Sequence, residues 1–281
     1  MPTVETNGIE TFYHDYGSGH PLVVLHGAMA THQGWAQQLQ TLADEYRVLP
    51  YDLRGHGKTG GSDRDSYTVE TYADDLAAFI DALDLDQPAV LGHSLGGMVG
   101  YAFADGYPEK LSALITVGSA TPETFSAREW IFRTAVSRLL FPAMGNERVM
   151  NAVVRAQTAL LGDESTVDMD ELEQLREAHD CTVPELSTTE RSKVLHAAKD
   201  YYTSSWSWQL FGLPVLMLYG ENEPFIEPHA GFLEAELEDC RTAEIPEGSH
   251  NAHVDNPEFI RTKLREFLGE VNADRERAAT R

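Results

Sequence analysis

The chain is predicted to fold as an α/β protein with a mostly parallel sheet flanked by helices. Three observations carry that prediction. Short apolar runs with strand character recur at residues 22–25, 47–51, 89–91, 111–117, 215–219 and 241–245, with helical patterns between several of them. One run, Pro88-Ala89-Val90-Leu91, passes directly into Gly92-His93-Ser94-Leu95-Gly96-Gly97 and then into a helix-like stretch. From Ser119 to about Trp208 the alternation stops, and helical patterns alone remain at 128–141, 147–161 and 170–179. That interruption marks an inserted helical cap, and the chain divides into a core of residues 1–118 and 209–281 and a cap of residues 119–208. At 281 residues and 42% hydrophobic composition, the sequence can bury one large core or one core with a lid.

The elements follow in order. Val4-Glu5-Thr6 and Ile9-Glu10-Thr11-Phe12-Tyr13 flank Asn7-Gly8, the signal of a two-residue hairpin and hence an antiparallel start. Leu22-Val23-Val24-Leu25 reads as a buried strand ending in His26-Gly27-Ala28-Met29. Between the strands at 47–51 and 89–91, Val69, Tyr72, Leu76, Phe79 or Ile80, and Leu83 recur at helical spacing behind Thr68, a candidate cap. The strand at 111–117 follows the helix after Ser94. Val215-Leu216-Met217-Leu218-Tyr219 leads into Gly220-Glu221-Asn222-Glu223-Pro224, and a further helix and strand lead to Pro246-Glu247-Gly248-Ser249-His250-Asn251-Ala252-His253. Pro257 opens a final helix, and the tail after Leu268 lacks apolar residues to pin it, so its end is expected to fray.

A parallel sheet places its chemistry on the loops at the carboxyl edge, and the candidate residues fall there. A strand turning sharply into a helix demands small residues where the two segments nearly collide, and Gly92 and Gly96 meet that demand around Ser94, the candidate nucleophile. The backbone amides of Ala28 and Leu95 are assigned to the oxyanion of a tetrahedral intermediate. Serine at its ordinary pKa needs a base and a residue that orients the base. His250 is the expected base, with Glu223 as the first choice of acid and Glu221 as the second.

The order Ser94, Glu223, His250 resembles that of the α/β-hydrolases, as do His26-Gly27, Asp52-Leu53-Arg54-Gly55-His56-Gly57, Gly92 to Gly97, and Gly248-Ser249-His250 with Asp255-Asn256-Pro257 behind it. The resemblance spans nearly the whole chain and implies an eight-stranded sheet with a helical cap after the sixth strand. Residues 51–106 resemble the small-ester and lactone hydrolases, including the 3-oxoadipate enol-lactonase and cofactor-free haloperoxidase branches. The family usually carries Asp where Glu223 stands, and a glycine directly before the base, where this chain has Ser249. The displaced glycine leaves His253 as a rival base. Serine at position 94 argues against the aspartate-nucleophile dehalogenases and epoxide hydrolases.

The implied reaction is a two-step acyl transfer on a small-molecule ester or lactone, with no metal and no organic cofactor. Alternatives are an enol-lactonase, a haloperoxidase or perhydrolase using the same triad, and a ligand-binding receptor of the same fold. Met29, Trp130, Phe141 and Trp206 are candidate pocket residues, and Phe132 and Met144 are further candidates from the cap to line the pocket. His93 is expected to point into the fold, and Asp52, Arg54 and His56 to form a loop-ordering ion pair and turn.

With 21 Lys+Arg against 45 Asp+Glu, the net charge is −24, and lysine occurs only at positions 58, 110, 193, 199 and 263. Such a surface suits concentrated salt, where screening removes self-repulsion, and the chain reads as a halophile's enzyme. The same charge argues against nucleic acid and anionic membranes as partners. Cys181 and Cys240 cannot make a disulfide framework and have no metal-ligand company. No basic and apolar leader and no membrane-length apolar run occurs, so a cytoplasmic location is expected.

Overall fold

The computed structural model describes residues 2–35, 39, 41–140, 186–203, 212–223 and 225–280. Strands β1 (Thr3–Thr6) and β2 (Ile9–Phe12) pair as an antiparallel hairpin. Asn7 and Gly8 turn it at φ of 44° and 77°, the left-handed pair that matches the twist of the flanking strands. There follow β3 (His20–Leu25), β4 (Tyr46–Tyr51), α1 (Val69–Ala82), β5 (Ala89–His93), α2 (Leu95–Gly106) and β6 (Ala113–Val117). After β6 come α3 (Ala127–Ala135), α4 (Thr188–Thr203), β7 (Val215–Gly220), α5 (Glu227–Glu236), β8 (Cys240–Ile245) and α6 (Pro257–Ala279).

The main sheet has six strands in the order β4-β3-β5-β6-β7-β8, and all neighbours run parallel. This corrects the expectation of one eight-stranded sheet. The first two strands form a sheet of their own and meet the edge of the main one at isolated bridges, Tyr13 to Tyr51 and Tyr16 to Val48, and where Asp52 N donates to Phe12 O at 3.0 Å. The cause lies in β4. His14 N donates to the Pro50 carbonyl at 2.9 Å, but proline has no N–H to return the bond, so a regular ladder cannot continue along this edge.

Strand alternation feeds two cores. Leu22, Val24, Leu91 and Ile115 face Ile260, Leu264 and Phe267 of α6. Val23, Leu25, Val90 and Leu114 face the side that holds Tyr72, Leu76 and Phe79 of α1 and Val99 and Phe103 of α2. Each such side chain, fully buried, contributes roughly 1.5–3 kcal/mol. Helix α1 starts where the sequence predicts. Thr68 Oγ1 accepts from Thr71 N at 3.2 Å and Thr71 Oγ1 accepts from Thr68 N at 3.4 Å, a reciprocal cap. The end of α6 is helical through Ala279 rather than frayed beyond Leu268. Val271 is buried against the sheet, and Arg275 donates to Gln87 Oε1 at 2.9 Å, a contact 188 residues away that sequence spacing does not reveal.

Between β6 and β7 the regular elements among the described residues are helical: α3, a π-helical turn at Val136–Leu140, and α4. The remaining cap positions, including Phe141, Met144, Cys181, Trp206 and the acidic stretch 163–173, lie outside the described residues. Among the described residues no helix is long and apolar enough to cross a membrane.

Candidate active site

Four carboxyl-edge loops supply the site: those after β3, β5, β7 and β8. The turn from β5 into α2 holds Ser94 at φ 50° and ψ −113°, a backbone region costly for any residue but glycine. The surroundings enforce it. A side chain at Gly92 would collide with the backbone of Gly96, and one at Gly96 would sit 2.5 Å from the Leu25 carbonyl oxygen. Ser94 N donates to Val117 O at 3.0 Å, while its carbonyl accepts from Gly97 N, Met98 N and Ser119 Oγ at 3.0–3.1 Å. The hydroxyl is left for chemistry.

His250 Nε2 lies 3.0 Å from Ser94 Oγ, and His250 Nδ1 lies 2.7 Å from Glu223 Oε1. The carboxylate only accepts, so Nδ1 carries the proton and Nε2 is free to accept from the serine hydroxyl. The Glu223 side chain is 8% exposed and that of His250 is 54% exposed, so a buried acid orients a base that reaches solvent and substrate. The two candidate acids separate clearly. Glu221 Oε2 accepts from Glu247 N at 2.9 Å and braces the turn after β8, whereas Glu223 holds the imidazole. Room for the longer acid comes from Gly118 at φ 57°, where an added Cβ would lie 3.3 Å from Glu223 Oε2 and 3.2 Å from His250 O.

The acid and base turns are pinned together, since Asn222 N donates to Gly248 O at 2.9 Å. A side chain at Gly220 would sit 2.5 Å from the Ser249 carbonyl oxygen. Asp255 Oδ2 accepts from Ser249 N at 2.7 Å and from Ser249 Oγ at 2.6 Å. Ser249, which displaces the usual glycine, thereby anchors the base loop. His253 is not at the nucleophile. It is buried and stacked on Trp35 at 4.5 Å, and burial pulls its pKa down to about 4.

Ala28 and Leu95 both line the cavity at Ser94. Leu95 opens α2, so its N–H has no acceptor within the helix, and among the described residues the Ala28 amide has none either. The next amide is taken, because Met29 N donates to His56 Nε2 at 3.4 Å. His26 fixes this loop from below, with Nδ1 donating to Gly27 O at 2.8 Å and Nε2 accepting from Leu53 N at 3.0 Å. The neighbouring loop is ordered as expected of a turn, but by partners elsewhere. Asp52 pairs with His32 at 2.7 Å, and Arg54 Nε donates to Asp75 at 2.7 Å, both pairs buried. His56 Nδ1 donates to Arg54 O, and burial lowers the His56 pKa to about 3.

The cavity holds about 420 Å³ and is lined mainly by apolar groups, among them Met29, Met98, Phe132, Val136, Leu195 and Phe225. Of the candidate pocket residues, Met29 and Phe132 line it, while Phe141, Met144 and Trp206 lie outside the described residues. Trp130 does not line it and is 61% exposed. The helical period explains this correction. Glu129, Phe132, Arg133 and Val136 share the cavity-facing stripe at spacings of three, four and seven, and Trp130 falls off it.

That stripe also carries polar residues the sequence reading missed. Glu129 Oε1 accepts from His229 Nε2 at 3.0 Å, Arg133 Nε lies 3.3 Å from Glu129, and Thr121 N donates to His229 Nδ1 at 3.1 Å. Burial, with the Arg133 charge beside it, lowers the His229 pKa to about 3, so the ring is neutral. This buried cluster ties α3 to α5. Its members are about 100 residues apart in sequence, and no local signal joins them. Among the described residues no group of three or more His, Cys, Asp or Glu side chains could hold a metal ion.

A family model for the alpha/beta hydrolase fold matches residues 20–257. The chain belongs to the alpha/beta hydrolase fold family. Among curated relatives of this hydrolase-fold chain, the 2-hydroxy-6-oxo-2,4-heptadienoate hydrolase of Pseudomonas putida is 34% identical over 119 residues. That match covers 41% of this chain and 43% of the relative. A thermophilic esterase from Thermogutta terrifontis superposes with a TM-score of 0.72 at 25% identity, over 96% of this chain and 98% of the other. The enol-lactonase of Burkholderia xenovorans LB400 gives a TM-score of 0.70 at 22% identity, over 95% and 100%, a likeness of fold alone.

Proposed function

We propose that this alpha/beta hydrolase is a serine hydrolase that cleaves carboxylic esters of small molecules through an acyl-enzyme. The observation that carries the reading is the run Glu223, His250, Ser94, bonded at 2.7 and 3.0 Å and opening on an apolar cavity of about 420 Å³. His250 takes the hydroxyl proton as Ser94 Oγ attacks the ester carbonyl. Glu223 holds the imidazole in the required tautomer and stabilises the imidazolium. The Ala28 and Leu95 amides face the developing oxyanion, and a donor so placed is worth roughly 3 kcal/mol. His250 then protonates the leaving alcohol, and water, activated by the same base, releases the acid. Phe132 and Val136 after β6 and Leu195 and Ala198 on α4 line the cavity and act as the part of the cap that excludes water and contacts the acyl group. The net charge of −24 fits an enzyme that works in concentrated salt, where the Debye length falls to about 3 Å at 1 M.

The test is hydrolysis of p-nitrophenyl esters of graded acyl length, in molar KCl and at low salt. A cavity of this size is expected to favour acyl chains of about four to eight carbons, with kcat/KM falling on either side. Activity and thermal stability are expected to drop at low salt. A folded protein that turns over no ester in the series overturns the esterase reading, and one equally active at both salt levels overturns the halophile reading.

A further inference from the structure

His93 precedes the nucleophile yet takes no part in the proton relay. Its ring is buried beneath the elbow, with Nε2 2.9 Å from the backbone carbonyl oxygen of His250, 157 residues away. A carbonyl only accepts, so Nε2 carries the proton and donates. Burial, with the neighbouring His253 and His250 rings, holds the imidazole well below its ordinary pKa and therefore neutral. The other ring nitrogen faces the oxyanion loop. A Cβ added at Gly27 would fall 2.8 Å from His93 Nδ1 and 3.3 Å from Ser94 Cβ. One side chain thus touches all three reacting segments: the elbow through its own backbone, the Gly27-Ala28 turn by packing, and the base loop by a hydrogen bond.

The bond falls where the base needs support. The His250 side chain is 54% exposed, so packing alone does not fix it. On the amino side its loop is held by Ser249 and Asp255, and at its own carbonyl by His93. We infer that His93 is a positioning residue, setting the distance between His250 and Ser94 by holding the His250 backbone. The inference rests on the serine hydrolase reading. A displacement of about 1 Å between reacting groups costs on the order of 100-fold in rate without altering ground-state binding, which is the signature to look for.

The experiment compares His93→Gln, His93→Asn and His93→Leu with the unsubstituted chain on p-nitrophenyl butyrate, with thermal midpoints measured alongside. The glutamine amide nitrogen lies where Nε2 lies and can still donate to the His250 carbonyl, whereas the asparagine amide stops at the Nδ1 position. His93→Asn and His93→Leu are expected to lose kcat by about 10- to 100-fold with KM within about twofold. His93→Gln is expected to stay within about fivefold of the parent kcat. Equal kcat in the Asn and Gln variants, both folded, overturns the inference, as does a Leu variant with parental kcat. A loss that falls in KM, or that tracks the thermal midpoint through all three variants, assigns His93 to packing only. Should the unsubstituted chain itself neither turn over ester nor react with diethyl p-nitrophenyl phosphate, the hydrolase reading falls and this inference with it.

Discussion

Replacing Ser94 by alanine is expected to lower ester turnover by about 10⁴- to 10⁶-fold. The Ser94 side-chain hydrogen bond is the one to His250, so its removal deprives the reaction of its nucleophile and leaves the scaffold alone. The strained backbone at φ 50° is imposed by the β5 to α2 crossing, and alanine bears that strain as serine does. The thermal midpoint and the inhibition constant of a product acid are therefore expected to stay near those of the parent. Residual activity reflects the Ala28 and Leu95 amides and the apolar cavity, which still bind and polarise an ester. A Ser94→Ala variant within tenfold of the parent kcat would place the nucleophile elsewhere.

Gly92→Ala is expected to cost the fold rather than the chemistry alone. The added Cβ would overlap the backbone of Gly96 and lie 2.5 Å from Gly97 N. These are main-chain atoms in the first turn of α2, with no flexible side-chain end to give way. Strand β5 and helix α2 would have to part, opening the core between Val90 and Val99 and lifting Ser94 from its seat. A loss of about 3 kcal/mol or more is expected, a large share of a typical domain's stability. Gly106→Ala, at the other end of the same helix, meets nothing within 4 Å and is expected to be neutral or to stabilise by up to about 1 kcal/mol. Denaturant unfolding of the two variants separates close approach from chain flexibility. Equal midpoints would contradict the crossing geometry.

What the sequence revealed and what it hid divide along one physical line. The elbow was legible because a strand-to-helix collision demands small residues at fixed spacing, and Gly92 and Gly96 stand at that spacing whatever the rest of the chain does. The hairpin at Asn7-Gly8 and the Thr68 cap were legible for the same reason, since each is settled within four or five residues. Acid and base were legible as short lists. The sequence already ranked Glu223 ahead of Glu221 and His250 ahead of His253, and the turns after β7 and β8 show why: an offset of two or three residues turns Glu221 to the Glu247 amide and His253 onto Trp35 instead of toward the serine.

Features that depend on distant partners were hidden. Asp52, Arg54 and His56 read as a loop-ordering ion pair and turn, but the partners of the two charges come from elsewhere, His32 from the helical turn after β3 and Asp75 from α1. Trp130 and Phe132 both looked like pocket residues because they are large and aromatic, yet the phase of α3 turns Phe132 inward, together with Val136, and leaves Trp130 outside. The Glu129 and His229 contact and the His93 bond to His250 span 100 and 157 residues, and nothing in their local sequence announces either. The count of sheet strands failed at Pro50, where a missing N–H leaves the hairpin outside the main sheet.

The central claim is that Ser94 becomes covalently acylated with His250 as its base. Treating the protein with diethyl p-nitrophenyl phosphate and mapping its peptides by mass spectrometry tests this most directly, because a phosphorylated serine does not readily hydrolyse. The account predicts one diethylphosphoryl group per chain, on the peptide bearing Ser94, with ester turnover falling in proportion and with labelling strongly slowed in His250→Ala. A protein that keeps its full ester turnover unlabelled, or that carries the label on another residue as activity disappears, would contradict it.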